Sequence, residues 1–440
     1  MIKSDNKKQP RVLVISHNCF SPNTNMGKTL ESYFSCWQSE NIAQLYFRED
    51  VPVDKTASTY YKISDLDALK SIILRWKCGH IIKTKESTNF QTNHTYVGDL
   101  YSYGAKKKPI VCLARDIMWR CSAWRNKGLL KWVDRFKPDV VFFASGDYAF
   151  SYQIAMKIAS IRKIPLIICC FDDFYINCRN GDSWLGRLHH YYFMRIVKKC
   201  IEKTSTIFTT NSLMSKEYGK MFKKECPILF TATSIHPSTI PYKMRKRIVY
   251  LGGIGLNRHI PLSEIGKTLK ILKIDGLPDH IDVYTKNPDD SILKYLNEKN
   301  GVIIHDPVSY NEVTEIISKS LAVLHVEASD SQSKRRVKYS LSTKIPDCLA
   351  SGVCFIAYGP AETASIQYLL DNNAALVITR KRDLESKLRE IVENQEKIEQ
   401  IINNGMHLAA INHNQDSIDS FFYKKVCSVI KEWKNENHSN

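Results

Sequence analysis

The sequence predicts an α/β protein built from two doubly wound parallel sheets, and the first reason is a repeating pattern. Short apolar or β-branched runs alternate along the chain with segments of helical spacing. Uninterrupted apolar runs of this kind are typical of parallel strands that are covered on both faces. The predicted strands are residues 12–16, 140–144, 166–171, 206–210, 248–252, 281–285, 302–305, 322–326, 354–358 and 376–379.

The second reason is a single break in this alternation, at residues 231–247. Pro237 and Pro241 stand there among small polar residues, a basic cluster follows, and such a segment is typical of a linker. The sequence therefore predicts an N-terminal domain over residues 1–235 and a C-terminal domain over residues 245–415. We expect residues 416–440 to form a helix that packs across one of the domains, with the first as the favoured one, and residues 50–109, which are polar and less regular, to form an insertion or a peripheral layer.

The composition limits the class of protein and its partners. The chain has 440 residues, of which 43% are hydrophobic and 25% charged, as in soluble globular proteins. Lys and Arg number 63 against 45 Asp and Glu, a formal charge of +18, which favours an anionic partner: nucleic acid, an acidic membrane surface or a phosphorylated substrate. The 13 cysteines include no CxxC pair and predict buried thiols in the cytoplasm. No run approaches the ~20 apolar residues of a membrane-spanning helix, and the first ten residues lack the apolar core of a secretory signal.

Candidate site residues follow the predicted strands, because open parallel sheets bind ligands beyond the carboxyl ends of their strands. Gly27, at a helix start after the first strand, lets the backbone approach a ligand or simply permits a turn. Asp172 and Asp173 follow the third predicted strand. They are suited to accepting hydrogen bonds from sugar hydroxyls and to proton transfer, or to capping the next segment. Neither a Walker motif nor GxGxxG is present, which argues against nucleotide hydrolases and nicotinamide enzymes.

The second half of the chain carries the denser group of candidates. Gly253, which ends the segment RIVYLGG, and Arg258, which follows it, form either a diphosphate cradle or an ordinary glycine-rich turn. Lys344 offers a point charge suited to phosphate, and Asp347, early in a predicted helix, is suited to a ribose diol. The full set of candidates in this half is Gly253, Arg258, Ser342, Thr343, Lys344, Asp347, Gly359, Glu362 and Thr363.

Several of these segments resemble the retaining, family-4-like glycosyltransferases of bacterial polysaccharide synthesis. The resemblance spans nearly the whole chain and includes KPDVV, IPLI and YLGG; its most specific part is STKIPDCLASG followed by AYGP and ASIQYL. It implies the GT-B fold, in which two Rossmann-like domains face each other across a cleft. The family's EX7E pair places Asp347 at the second acidic position and Tyr339 at the first, so one acid is shortened and the other lost. Of the family's basic pair, Arg258 matches loosely, and Lys344 is the second candidate.

The resemblance implies transfer of a sugar from a nucleoside diphosphate sugar to a glycan or polyprenyl-diphosphate-linked acceptor, with retention of configuration. The expected pathway is capsule, O-antigen or exopolysaccharide synthesis. Arg258, Lys344 and helix N-termini would stabilise the departing diphosphate, so we expect no metal and no cofactor. Asp172 and Asp173 would orient hydroxyl groups of donor or acceptor.

Residues 184–203 are basic and aromatic. They predict either a helix that lies on an anionic leaflet or a core helix with one solvated basic face.

Three other functions remain as alternatives to a glycosyltransferase. One alternative is a nucleotide-sugar 2-epimerase of the same fold, and another is a catalytically inactive relative, given Tyr339. The third is a basic nucleic-acid-binding protein, but no recognisable motif of that class is present, and we expect no nucleic-acid partner.

Overall fold

The chain forms two compact units in the computed structural model, which describes residues 8–21, 25–52, 56–82, 109–177, 183–286 and 288–438. The first unit comprises Met1–Thr210, Ser215–Leu229 and Asp419–Asn440. The second unit comprises Asn211–Met214 and Phe230–Ile418. The predicted linker at residues 231–247 lies wholly within the second unit.

The first unit is organised around a seven-stranded sheet. The strands lie in the order β4-β3-β2-β1-β5-β6-β7, and all neighbours run parallel except β3 and β4. The order therefore reverses at β1, which pairs with both β2 and β5. The strands are β1 Val12–Ser16, β2 Ile42–Tyr46, β3 Thr59–Lys62, β4 His80–Ile82, β5 Val140–Ala144, β6 Leu166–Cys170 and β7 Thr206–Thr209.

The second unit is organised around a six-stranded parallel sheet. Its order, β10-β9-β8-β11-β12-β13, is the doubly wound order 3-2-1-4-5-6, which reverses between β8 and β11. The strands are β8 Ile248–Leu251, β9 Ile281–Tyr284, β10 Val302–His305, β11 Ala322–Val326, β12 Cys354–Tyr358 and β13 Leu376–Ile378.

Helices connect and cover the strands in both units. Those that begin before residue 230 are α1 Asn25–Tyr33, α2 Asp65–Ile73, α3 Pro109–Cys121, α4 Lys127–Phe136, α5 Ala149–Arg162, α6 Trp184–Glu202 and α7 Ser212–Phe222. The later helices are α8 His259–Leu272, α9 Asp290–Leu293, α10 Tyr310–Ser318, α11 Ser331–Val337, α12 Ile345–Ala350, α13 Ala364–Asp371, α14 Leu384–Glu393, α15 Gln395–Asn412 and α16 Gln415–His438.

The predicted α/β class with two parallel sheets is confirmed, and every predicted apolar run forms a strand. For residues 50–109, expected to be an insertion or a peripheral layer, the structure describes strands β3 and β4 at one edge of the first sheet, so a layer outside the sheet is wrong for these strands. Residues 83–108 of that segment lie outside the described residues. Strand β2 was missed because Gln44 interrupts its apolar run. Gln44 is nevertheless buried, since it accepts from the Phe20 amide and donates to Ser16 Oγ.

An aromatic cluster in the first unit includes a residue from the C-terminal helix α16. The ring of Phe422 is fully buried and lies 5.3 Å, centroid to centroid, from the rings of Phe34, Trp37 and Phe142. Phe34 and Phe142 are themselves in edge-to-face contact at 5.3 Å. Because aromatic rings bury large apolar areas, this cluster ties the end of the chain to the sheet of the first unit.

Replacing Phe422 by Ala should lower the free energy of unfolding by about 3–5 kcal/mol, because it leaves a cavity inside this cluster. Phe421→Ala is the matched control: its ring is exposed, and its loss should cost much less. Urea denaturation of the two variants measures the difference. Equal unfolding energies would contradict the structural role of Phe422.

Candidate active site

The reversal of strand order in the second unit marks a place where a ligand can enter between diverging loops. Gly252 follows β8 directly, and Glu327 follows β11, its neighbour in the sheet. Ligands of doubly wound sheets bind beyond the carboxyl ends of the strands at such a reversal. The loops after β8 and β11 are therefore the first elements of a candidate site.

The loop after β8 holds the guanidinium of Arg258 against the end of β11. Leu256 and Asn257 both adopt positive φ angles, of 58° and 56°, and Asn257 donates to Asp330 Oδ2 over 3.0 Å. Arg258 then donates from Nε to the carbonyl oxygen of Val326, the last residue of β11, over 3.2 Å. This backbone shape and these hydrogen bonds fix the cation immediately before helix α8.

The second cation, Lys344, immediately precedes α12 and lies over the glycine at the end of β8. A side chain at Gly252, whose φ is +151°, would overlap the Nζ and Cε atoms of Lys344, so glycine makes room for the ammonium. The ammonium also lies 5.5 Å from the centroid of the Tyr250 ring. Burial, followed by the charge of Arg258, lowers the pKa of Lys344 to about 8. The fold therefore holds two half-buried cations near each other, and the ammonium of Lys344 is the more desolvated of the two by its lowered pKa.

A buried carboxylate, that of Glu327, lies near Arg258. Glu327 is buried and lies 3.2 Å from His325 Nε2. Burial alone would raise the pKa of Glu327, but His325, Thr363 and Arg258 outweigh it and hold the pKa below its ordinary value. At Gly359, a Cβ would lie 3.0 Å from Glu327 Cβ, so the glycine lets the end of β12 approach. The ionised Glu327 offsets part of the positive charge beside Arg258.

Ser342 and Thr343 line the turn that precedes Lys344. The Ser342 amide donates to Ser365 Oγ over 3.2 Å, and the Lys344 amide donates to Ser342 Oγ over 3.5 Å. These two hydrogen bonds show that Ser342 stabilises the turn. Ser342 is half-buried, whereas Thr343 is exposed. Gly253, in the neighbouring loop, is exposed, and its carbonyl oxygen accepts from the hydroxyl of Tyr250 over 2.6 Å.

Asp347, in α12, makes its hydrogen bonds with other residues of the second unit. Its Oδ1 accepts from Thr233 Oγ1 over 2.6 Å, and the hydroxyl of Tyr310 lies 3.4 Å from the same oxygen. The longer contact to Tyr310 is weak, and it is the one that a ligand hydroxyl would exchange most readily. Tyr339, at the first acidic position of the expected pair, is buried, and its carbonyl oxygen accepts from Asn211.

The turn between β12 and α13 gives its predicted residues two different roles. Thr363 is buried, and its hydroxyl donates to the Pro360 carbonyl over 2.9 Å. Glu362 forms an ion pair with Lys334 at 2.9 Å on the surface, and the hydrogen bond from Lys334 lowers the pKa of Glu362. Thr363 therefore belongs to the surroundings of Glu327, whereas Glu362 pairs with α11.

The remaining predicted residues lie in the first unit. Gly27 is buried inside α1, near its start. Asp172 is half-buried, whereas Asp173 is buried and accepts five hydrogen bonds. The donors are the amides of Tyr175, Ile176 and Asn177, the side-chain amide of Asn177 and the hydroxyl of Tyr218. This pattern is that of a carboxylate that stabilises a loop, so we do not carry Asp173 into the proposed chemistry.

Asp173→Ala should lower the free energy of unfolding by about 3 kcal/mol, because several buried donors lose a charged acceptor. Asp172→Ala, the neighbouring control, should change it by about 1 kcal/mol or less. Urea denaturation distinguishes the two. A variant at Asp173 that unfolds like the wild type but has lost its activity would instead place Asp173 in the chemistry.

Three residues of the candidate site were missed from the sequence. Tyr250 and His325 lie within predicted strands, where each reads as one more residue of an apolar run. Glu327 follows β11 by one position. Its signal was available, because an acid directly after a buried strand is a candidate by the same rule that selected Asp172.

Comparison with known proteins finds a family match within the second unit. Residues 273–418 match the protein family described as "Glycosyl transferase-like". The match includes β11, α12 and the turns that carry Glu327, Lys344 and Thr363. No curated protein sequence matches the chain.

Solved structures resemble the chain over nearly its whole length. HepE of Anabaena in complex with UDP and glucose has a TM-score of 0.58 at 10% identity and covers 95% of this chain and 100% of its own. The sucrose-phosphate synthase of Thermosynechococcus elongatus has a TM-score of 0.57 at 9% identity, with 96% of this chain and 100% of its own covered. WaaG, a glycosyltransferase involved in lipopolysaccharide biosynthesis, has a TM-score of 0.52 at 13% identity, with 95% and 99% covered.

The fold is therefore that of the GT-B glycosyltransferases, as expected from the resemblance in the sequence. The family match adds the class of enzyme. Residues 273–418 form a glycosyltransferase-like domain, and the prediction that the chain is a glycosyltransferase is confirmed.

Proposed function

We propose that the protein transfers a sugar from a nucleoside diphosphate sugar to an acceptor hydroxyl, and that Arg258 and Lys344 hold the diphosphate. The observation that carries this proposal is the pair of half-buried cations at the strand reversal of the second unit. Burial and the charge of Arg258 lower the pKa of Lys344 to about 8. Glu327 offsets only one of the two positive charges, and an anionic ligand would offset the other.

The same pair fits the chemistry of sugar transfer. Negative charge develops on the diphosphate as the bond to the sugar breaks, so cations fixed in advance stabilise the transition state more than the ground state. Arg258 supplies a planar fork of donors and Lys344 a point charge. On this basis we propose that transfer needs no metal ion. EDTA should leave the activity unchanged. A loss of activity on EDTA treatment that Mg²⁺ or Mn²⁺ reverses would contradict this part of the proposal.

The donor is proposed to be a UDP-sugar. Support comes from HepE, which was solved in complex with UDP-glucose and has a TM-score of 0.58 to this chain. Asp347 is the proposed partner of the ribose hydroxyls, which would replace its weak contact with Tyr310. Titration calorimetry with UDP, GDP, CMP and dTDP tests the base preference, and tighter binding of another nucleotide would overturn the choice of UDP.

The acceptor is proposed to be a growing glycan or a polyprenyl-diphosphate-linked sugar of a bacterial surface polysaccharide, used on the cytoplasmic side of the plasma membrane. Support comes from the basic charge of the chain and from its structural similarity to WaaG, a glycosyltransferase involved in lipopolysaccharide biosynthesis. Retention of configuration is part of the same proposal, with the leaving phosphate accepting the proton of the acceptor hydroxyl. A product assay without acceptor separates this activity from 2-epimerisation, which needs none.

Lys344→Ala should weaken UDP binding tenfold or more, about 1.4 kcal/mol, because the diphosphate loses one of its two cations. Lys267→Ala is the matched control, since Lys267 is an exposed lysine in α8 outside the candidate site. Titration calorimetry measures both affinities. Equal affinities for the two variants would remove Lys344 from the donor site.

The affinity for UDP should also fall with rising pH. The protonated form of Lys344 binds the diphosphate, and its pKa of about 8 means that binding is strongest below pH 8 and weakens above it. Between pH 7 and pH 9 we expect a loss of about tenfold in the wild type. Lys344→Ala should show a flatter profile over the same range. A wild-type affinity that does not change up to pH 9 would contradict a titrating lysine at the site.

A further inference from the structure

The first unit carries an outer layer of helices that is tied together from within. Helix α5 packs on β5 and β6, α3 and α6 both pack on α5, and α2 packs beside α3. Asp116 of α3 is buried against His189 of α6, with Oδ2 and Nε2 2.9 Å apart. Buried polar contacts of this kind fix the helices relative to one another, so their outward faces form one surface.

A second set of polar contacts fixes α2 to α3. Asp65, at the start of α2, accepts from Arg115 Nε over 2.9 Å and from Trp119 Nε1 over 2.7 Å. The guanidinium of Arg115 lies over the ring of Tyr148, 4.1 Å from its centroid. The charged groups on the inner side of α2 and α3 are thus used within the unit.

The outward faces of the three helices expose large apolar side chains. On α6, Trp184, Leu188 and Tyr191 are exposed at positions i, i+4 and i+7, so they form one stripe. On α3, Ile110 and Ile117 are exposed at i and i+7, and α2 exposes a stripe that continues to Trp76 just after it. The outer apolar face, as we name this surface, consists of Leu66, Leu69, Ile73, Leu74, Trp76, Ile110, Val111, Ile117, Trp184, Leu188 and Tyr191.

Exposed cations accompany the outer apolar face. Arg195 continues the stripe of α6 one turn further and lies 5.8 Å from the ring of Tyr191, and Lys70 of α2 lies 5.7 Å from the ring of Trp76. The exposed basic residues on or next to the three helices include Arg75, Lys77, Arg120, Arg187, Arg195, Lys198, Lys199 and Lys203.

Carboxylates are scarce on this surface. Helix α3 has one acidic residue, the buried Asp116, and α6 has one, Glu202, at its last position. On α2, Asp65 is occupied by Arg115 and Trp119, and Asp67 is used in the capping box of Ser64. An anionic surface would therefore meet cations without facing a comparable number of negative charges.

We infer that the outer apolar face docks on an anionic lipid bilayer, with its Trp, Leu and Ile side chains in the interface and its Arg and Lys side chains at the headgroups. Exposed tryptophans beside basic residues on a layer of helices suit a membrane interface, where one end of the ring is apolar and the other wet. No helix among the described residues is long and apolar enough to cross a membrane. The inference rests on the proposed function for its biological reason, since it would bring the enzyme to a lipid-linked acceptor.

Cosedimentation of the full chain with extruded vesicles tests the inference. We expect binding to vesicles of equal parts phosphatidylcholine and phosphatidylglycerol, and at least tenfold weaker binding to pure phosphatidylcholine, because basic residues favour anionic lipid. Failure of the wild type to bind the anionic vesicles would overturn the inference. This assay needs no donor, so its outcome is independent of UDP binding by the second unit.

Two pairs of variants test which side chains are responsible. Trp76→Ser with Trp184→Ser removes two rings that are 61% and 67% exposed and should weaken binding to the anionic vesicles tenfold or more. Met244→Ser with Ile271→Ser, at 70% and 78% exposure in the second unit, is the control and should bind like the wild type. Equal loss in both double variants would overturn the assignment to this face. Unchanged urea denaturation midpoints in all of them show that each remains folded.

A charge pair separates headgroup attraction from apolar insertion. Arg195→Gln with Lys198→Gln should reduce the preference for phosphatidylglycerol severalfold, whereas Lys216→Gln with Lys220→Gln, two exposed lysines of α7, should not. Analytical ultracentrifugation without lipid tests whether a second copy of the chain binds to this face instead. A wild-type dimer that Trp76→Ser with Trp184→Ser converts to monomer would make the face a contact between two copies and overturn the membrane inference.

Discussion

The close approach of Lys344 to Gly252 and Arg258 is the constraint on which the second unit's site depends. The ammonium takes the place that a side chain after β8 would occupy, while Arg258 is held at the end of β11 by a backbone carbonyl. The fold maintains both charges through backbone geometry, through the ring of Tyr250 and through the nearby carboxylate of Glu327. An anion that enters here finds its counter-charges already placed, which is what preorganised electrostatic catalysis requires.

The two units place their polar groups in different ways. In the second unit, Arg258, Lys344 and Glu327 lie beyond the strand ends, at the reversal of strand order. In the first unit, the contacts of Asp65 with Trp119 and of the buried Asp116 with His189 lie between helices and hold an outer layer together. The large apolar side chains of the outer apolar face are exposed on the outer side of that layer. A surface of this kind is unusual on a protein that meets only water, because exposed apolar patches generally mark a binding surface.

The acidic positions expected from the family resemblance have different partners here. Asp347 accepts a short hydrogen bond from Thr233, and Tyr339 is buried. A carboxylate is nevertheless present beside Arg258, but it comes from Glu327 at the end of β11 and not from the position of Tyr339. The basic pair is likewise assembled from two separate segments, since Lys344 lies far along the chain from Arg258. The site therefore combines two cations and one carboxylate that come from the ends of different strands and from the start of a helix.

The sequence by itself determined the six strands of the second sheet, four of the seven strands of the first sheet, the α/β class and the candidate cations Arg258 and Lys344. It could do so because continuous apolar runs identify parallel strands, and the residues after them are the ones that meet a ligand. Only the tertiary structure decided that Gln44 lies inside a strand, that Asp173 is occupied by loop donors and that Glu327 lies beside Arg258. Each of these depends on hydrogen-bond partners or neighbours distant in sequence, and a linear pattern carries no record of which groups the fold brings within a few ångströms.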